Sequence, residues 1–109
     1  MTGAPEPPGA LLEQVLRLLG MSQAAFSRAT GLTAKHVNQV CQGHAGVSAR
    51  SAVLFEEVTG VDAEVWMRAQ IRYDIAAARA ARLDETAAER ARRDATNAAV
   101  AELVRKAGQ

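Results

Sequence analysis

The sequence predicts an all-α protein. Alanine supplies much of the apolar content, and alanine is the strongest helix former. No run alternates apolar and polar residues with the β-branched enrichment of a strand. Most apolar runs at helical spacing also lie between a capping residue and a glycine.

The elements follow in order. Residues 1–7 hold Pro5 and Pro7 and are expected to be a flexible, extended N-terminus. Pro8 or Gly9 opens the first helix, whose apolar face is Leu11, Leu12, Val15, Leu16, Leu18 and Leu19 and which Gly20 stops. Ser22 caps a second helix, Gln23 to Thr30, with Phe26 and Ala29 inward, and Gly31 ends it in a left-handed turn. Thr33 caps a third, Ala34 to Gln42, which stops at Gly43. After the loop GHAGVS, Ser48 caps a fourth helix with Ala52, Phe55 and Val58 inward, ending at Gly60. Asp62 caps a fifth, which runs to Leu83 and carries Trp66, Gln70 and Tyr73 on one face. In residues 83–109, an alanine-rich helical tail, Thr86 with Glu89 reads as a capping box, and Glu89–Arg93 and Glu102–Lys106 are i,i+4 pairs. No internal repeat is evident.

The 109 residues suit one small domain. Cys41 is the single cysteine, so no internal disulfide forms, which suits a reducing compartment. The start, MTGAPEPPG, lacks the charge and apolar run of a signal peptide, and no stretch is long and apolar enough to span a membrane. A cytoplasmic location is therefore expected. Net charge is only +1. Residues 1–61 balance four cations with four anions, and residues 62–109 hold nine against eight. Any basic patch must come from arrangement, not from the sum.

The informative stretch is GLTAKHVNQVCQG, Gly31 to Gly43. Two short helices joined by a short glycine turn form a helix-turn-helix. Gly31 supplies the positive φ, while Phe26, Leu32, Val37 and Val40 lock the pair. Thr33, Lys35, His36, Asn38, Gln39 and Gln42 are left facing outward. Asn and Gln pair bidentately with adenine in the DNA major groove, and Lys donates to guanine. Ser22 and Gln23 at the start of the preceding helix are candidates for phosphate contact, helped by free N–H groups, and Arg28 lies on the same helix. The DNA-binding set is therefore Ser22, Gln23, Arg28, Thr33, Lys35, His36, Asn38, Gln39 and Gln42.

The carrying residues Pro8-Gly9, Gly20-Met21-Ser22-Gln23, Thr30-Gly31-Leu32, Lys35-His36-Val37-Asn38-Gln39, Gly43, Val47-Ser48, Ala52, Gly60, Trp66, Gln70 and Tyr73-Asp74 make residues 8–76 similar to the phage-repressor-like (Xre) helix-turn-helix superfamily. Within it the chain most resembles HigA-type antitoxins. The resemblance implies a five-helix lambda-repressor-like domain, residues 8–82, that binds a palindromic operator as a homodimer. It further implies an autoregulating repressor that neutralises a toxin partner. Ser27 stands where the family usually has alanine, and the resemblance is silent on residues 77–109. The chain also resembles DNA-binding heads of certain metallopeptidase regulators, but it carries no HExxH zinc motif.

Trp66, Gln70 and Tyr73 suit core or dimer packing better than a ligand pocket. Cys41 with His44 and His36 falls short of a zinc ligand set, and Cys41 lacks an activating neighbour for catalysis. No cofactor, metal or enzymatic activity is expected. The tail is a partly frayed solvated helix or a docking element. The rival function is a protein-interaction module on the same scaffold with little DNA binding, favoured by the neutral balance of residues 1–61.

Overall fold

The computed structural model describes residues 5–82 and 86–108. Among them are six helices and no strand: α1 (Pro8–Leu19), α2 (Gln23–Thr30), α3 (Ala34–Cys41), α4 (Ala49–Thr59), α5 (Ala63–Ala81) and α6 (Ala87–Ala107). The all-α expectation holds, with five helices and a helical extension. The expectations for residues 1–4, for Leu83 as the end of the fifth helix and for Asp84 as the start of the tail lie outside the described residues. The chain divides into two compact units, residues 1–78 and 79–109. Among the described residues no helix is long and apolar enough to cross a membrane.

In the first unit, helix ends are encoded locally. The hydroxyl oxygens of Ser22, Thr33 and Ser48 accept from the N–H groups of Ala25, His36 and Ser51 at 3.0, 3.0 and 3.2 Å. Such caps contribute about 1 kcal/mol each. α3 ends at Cys41, one residue earlier than expected, with Gln42 as its C-cap. At the start of α5, the Glu56 carboxylate accepts from Ala63 N–H at 3.2 Å, while the Asp62 backbone carbonyl accepts from Val65 N–H at 2.9 Å.

The core joins all five helices: Leu12 and Leu16 of α1, Phe26 of α2, Val37, Val40 and Cys41 of α3, Ala52 and Phe55 of α4, and Trp66 of α5. Phe55 sits between Phe26 and Trp66, edge-on to both, with centroids 5.1 and 5.2 Å away. Two apolar assignments need correction. Leu18 and Leu19 are 88% and 49% exposed. Leu18 lies about 200° round the helix from Leu16, on the far side from the core. In α2 the buried companion of Phe26 is Thr30, and Ala29 is exposed.

The structure also reveals a local repeat. FSRATGLTA (26–34) and FEEVTGVDA (55–63) share Phe, Thr, Gly and Ala at matching places. Both chains turn the same way, with Gly31 and Gly60 at φ 80°. Thr30 and Thr59 each donate to the carbonyl of the preceding Phe, at 2.9 and 2.7 Å. Each then accepts from the N–H two residues on, Leu32 at 3.3 Å and Val61 at 3.1 Å. The carbonyls of Leu32 and Val61 are also matched, one accepting from the Ser27 hydroxyl and the other from the Trp66 indole N–H. In both turns the threonine hydroxyl and the carbonyl two residues on are thus paired within the protein. A four-residue conserved spacing among otherwise different residues is too sparse to stand out in the sequence.

Gly9 has a different task. A Cβ there would lie 1.7 Å from the carbonyl oxygen of Val40, so α1 and α3 meet backbone to backbone. Beside this contact, Cys41 is buried, and burial followed by the Glu13 charge pushes its thiol up to about 11.

The second unit is dominated by α6. Its capping box is complete: Thr86 accepts from Glu89 N–H at 3.1 Å, and Glu89 accepts from Thr86 N–H at 3.3 Å. These bonds to Thr86 hold the Glu89 carboxyl below its ordinary value. Glu102 pairs with Arg105, one residue short of the expected Lys106. Val100, Leu103 and Val104 are exposed.

Two predictions follow from the first unit. Gly31→Ala should cost about 1–2 kcal/mol, since only the left-handed backbone opposes the open site. Gly9→Ala should cost more, about 3 kcal/mol, because two backbones must part. Urea denaturation ranks the two, and a reversed order would contradict the close approach of α1 and α3. The Cys41 thiol is raised from 9.0 to about 11 in the fold. Its contribution to stability is thus complete below pH 9 and lost as pH rises towards 11. Cys41→Ala should lack that part of the alkaline decline, measured as the difference between the two stability–pH curves.

Candidate nucleic-acid interface

α3 is rolled by its apolar residues. Val37 and Val40 are fully buried and Cys41 nearly so. At about 100° per residue, Lys35, Asn38, Gln39 and Gln42 then fall within an arc of about 100° on the opposite side. Lys35, Asn38 and Gln42 are exposed and Gln39 is half-buried. The Gln39 carbonyl also receives the N–H groups of His44 and Ala45 at 2.8 and 3.1 Å, which anchors the loop leaving the helix. His36 is half-buried at the flank of the arc, outside its centre. Thr33 is exposed, but its hydroxyl oxygen already caps α3.

α2 brings a second set to the same surface. Ser22 is its cap and Gln23 its first residue, so the N–H groups of Gln23 and Ala24 have no acceptor within the helix. The side chain of Gln23 reaches α3: Asn38 Nδ2 donates to Gln23 Oε1 at 3.2 Å. Arg28 lies five residues on from Gln23, in the last turn of α2. It is about 140° round the helix and is not drawn into the Gln23–Asn38 group.

Two contributors escaped the sequence reading. Arg17 lines a surface groove with Gln23, Glu13, Leu16 and Met21. Its place comes from packing between helices, and no spacing along the chain signals it. Gln70 was assigned to packing with Trp66, which is fully buried. Gln70 does more: its Oε1 accepts from Val47 N–H at 2.7 Å, and its Nε2 donates to Asp74 at 2.9 Å. The carboxamide also packs on Gly46, where a Cβ would come within 3.1 Å. α5 thereby holds the loop that follows α3.

No group of three or more His, Cys, Asp and Glu suited to a metal exists among the described residues. Cys41, raised in pKa and buried beneath the site, is a core thiol. The surface combines neutral amides on a fixed helix, a helix N-terminus beside them, and cations at the margin.

Comparison with known proteins agrees with this geometry. Residues 12–66 match the helix-turn-helix family model. The chain is 29% identical over 69 residues to virulence-associated protein I of Dichelobacter nodosus, covering 62% of this chain and 64% of the relative, which is under two thirds of that relative's length. Among solved structures, the antitoxin HigA of Pseudomonas aeruginosa with the higBA promoter is similar at TM-score 0.72 and 31% identity, over 78% of this chain and 94% of that one. An addiction module antidote protein of the HigA family from Coxiella burnetii is similar at TM-score 0.68 and 25% identity, over 73% and 88% of the two chains. The chain belongs to the phage-repressor-like (Xre) helix-turn-helix family.

Proposed function

We propose that the chain is a sequence-specific DNA-binding repressor of the antitoxin type. It binds a palindromic operator as a homodimer and represses its own operon, and its second partner is a protein toxin. The observation that carries the reading is the roll of α3, which turns Lys35, Asn38, Gln39 and Gln42 outward as one polar face beside the open N-terminus of α2. The similarity to an antitoxin HigA solved with its promoter supports it.

In this mechanism α3 enters the major groove and its amides meet base edges. The N–H groups at the start of α2, with Ser22 and Gln23, hold a phosphate and fix the register. Gln42, at the end of α3, and Thr33 and His36, at its start and flank, contact the groove walls. Two copies place α3 in successive major grooves, about 34 Å apart. Residues 8–82 carry these contacts, and residues 83–109 form the tail.

The test is binding to duplexes enriched from a random pool. Asn38→Ala or Gln39→Ala should each cost about 1–3 kcal/mol on the enriched site and little on random DNA. Equal losses on both would mean that these residues do not read bases. The salt dependence makes a separate prediction. Arg17, Arg28 and Lys35 are exposed cations of the first unit. About three cations per subunit give roughly six neutralised phosphates per dimer and a slope of log K against log salt of about −5. A slope near zero would favour a protein-binding surface instead.

A further inference from the structure

We infer that Gln70 is a positioning residue for base reading: oriented by Asp74, its carboxamide holds the loop that follows α3 and thereby sets where Gln39 and Gln42 meet the DNA. The inference rests on the DNA-binding reading above and goes beyond it by tracing part of the base discrimination to a pair of side chains on α5.

The Gln70 carboxamide has two partners of opposite kind. Its Oε1 accepts from Val47 N–H at 2.7 Å, and its Nε2 donates to Asp74 Oδ1 at 2.9 Å. A peptide N–H can only donate and an ionised carboxylate can only accept. Turned over, the carboxamide would set Nε2 against a donor and Oε1 against an acceptor, so only one orientation satisfies both partners. Val47 is buried and Asp74 is exposed. A surface carboxylate thus fixes the polarity of an interior hydrogen bond. The same carboxamide lies along Gly46, where a Cβ would come within 3.1 Å of Oε1, 3.2 Å of Nε2 and 3.3 Å of Cδ.

The other end of this loop hangs from α3. The Gln39 carbonyl accepts from His44 and Ala45 N–H at 2.8 and 3.1 Å, and the Val40 carbonyl from Gly43 N–H at 3.0 Å. Residues 43–47 are therefore fastened to the last turn of α3 on one side and to Gln70 on the other. The first turn of α3 is held separately, by the Thr33 cap and the left-handed turn at Gly31. A loop released from Gln70 disturbs the later part of the polar arc, Gln39 and Gln42, and leaves Lys35 in place. Base pairing by amides needs close alignment, so a small shift of Gln39 weakens discrimination before it weakens contact with the DNA backbone.

The experiment uses the full chain and a random duplex pool, with enriched sites sequenced for wild type and each variant, and thermal melts to follow folding. Gln39→Ala marks the positions that Gln39 reads. Gln70→Glu keeps an acceptor for Val47 but sets a second carboxylate against Asp74. It should flatten the marked positions by about tenfold and leave those that respond to Lys35→Ala. Asp74→Asn keeps an acceptor for Nε2 and should leave the profile as in wild type. Combining Gln70→Glu with Asp74→Asn retains the wild-type net charge and reverses the bond, the introduced amide donating to the introduced carboxylate; the marked positions should sharpen again. Asp74→Lys offers Nε2 only donors, from an exposed position that leaves the core untouched, and should flatten the same positions even where Gln70→Glu does not fold. The inference is overturned if Asp74→Lys or a folded Gln70→Glu keeps the marked positions sharp, if the combined variant stays flat, or if affinity falls with an unchanged profile. A wild-type chain that enriches no sequence overturns the DNA-binding reading and this inference with it. An enriched site that responds to Gln39→Ala but not to Asp74→Lys overturns the role of Gln70 alone.

Discussion

The geometry of the interface depends on how the chain reverses at Gly31. A left-handed residue there lets α2 and α3 meet within three residues, and hydrogen bonds within the reversal tie its two sides together. The Thr30 hydroxyl donates backward and accepts forward, and Ser27 closes the Leu32 carbonyl. The angle between the two helices is held by covalent geometry and these local hydrogen bonds. Phe26 then fixes the pair on Phe55, which stands at the start of the second copy of the same turn. Using one turn twice lets the two aromatic residues that open it pack against each other. The arrangement extends to Trp66, whose indole bonds to the second turn and whose ring stacks edge-on against Phe55. Gln70, one turn further along α5, carries the same support to the loop behind α3.

The helix ends were legible because they are local. Ser22, Thr33, Ser48, Gly31 and Gly60 each act within four residues of their own position, and residue type alone indicates the conformation. The roll of α3 was legible for a related reason, since Val37 and Val40 leave only one side for the amides. Leu18, Leu19 and Ala29 were misassigned because apolar character does not say which flank of a helix the core covers. The Glu56 contact with Ala63 N–H, the Gln23–Asn38 bond and the place of Arg17 depend on side chains meeting after the helices have packed. Such meetings leave no periodic trace in the chain.

The two units specify their helices by different means. α2 and α3 have eight residues each, well under the length at which an isolated helix is stable in water. They exist because Phe26, Val37 and Val40 are buried, so the interface forms only with the cooperative folding of the first unit. α6 has 21 residues, none of them buried. Its order comes from alanine propensity, the Thr86–Glu89 box and pairs such as Glu102–Arg105. A helix held in this way has no buried side chain to fix its ends, whereas α3 keeps its polar arc for as long as the core stands.

That rigidity matters because the chain carries so little net charge. A protein that binds nucleic acid mainly through cations attracts every sequence alike, and the useful quantity is the ratio of specific to non-specific affinity. Four cations against four anions in residues 1–61 keep the indiscriminate part small. In the function proposed above, the burden of affinity shifts to directional groups: Asn38, Gln39, Gln42, the hydroxyl of Ser22 and the N–H groups of α2. Hydrogen bonds of this kind lose strength steeply when misaligned. A near-neutral recognition surface therefore needs a fixed scaffold more than a cationic one does. The doubled turn, the three-ring stack and the backbone contact at Gly9 meet that need, since each removes a way for α3 to shift relative to the rest of the first unit.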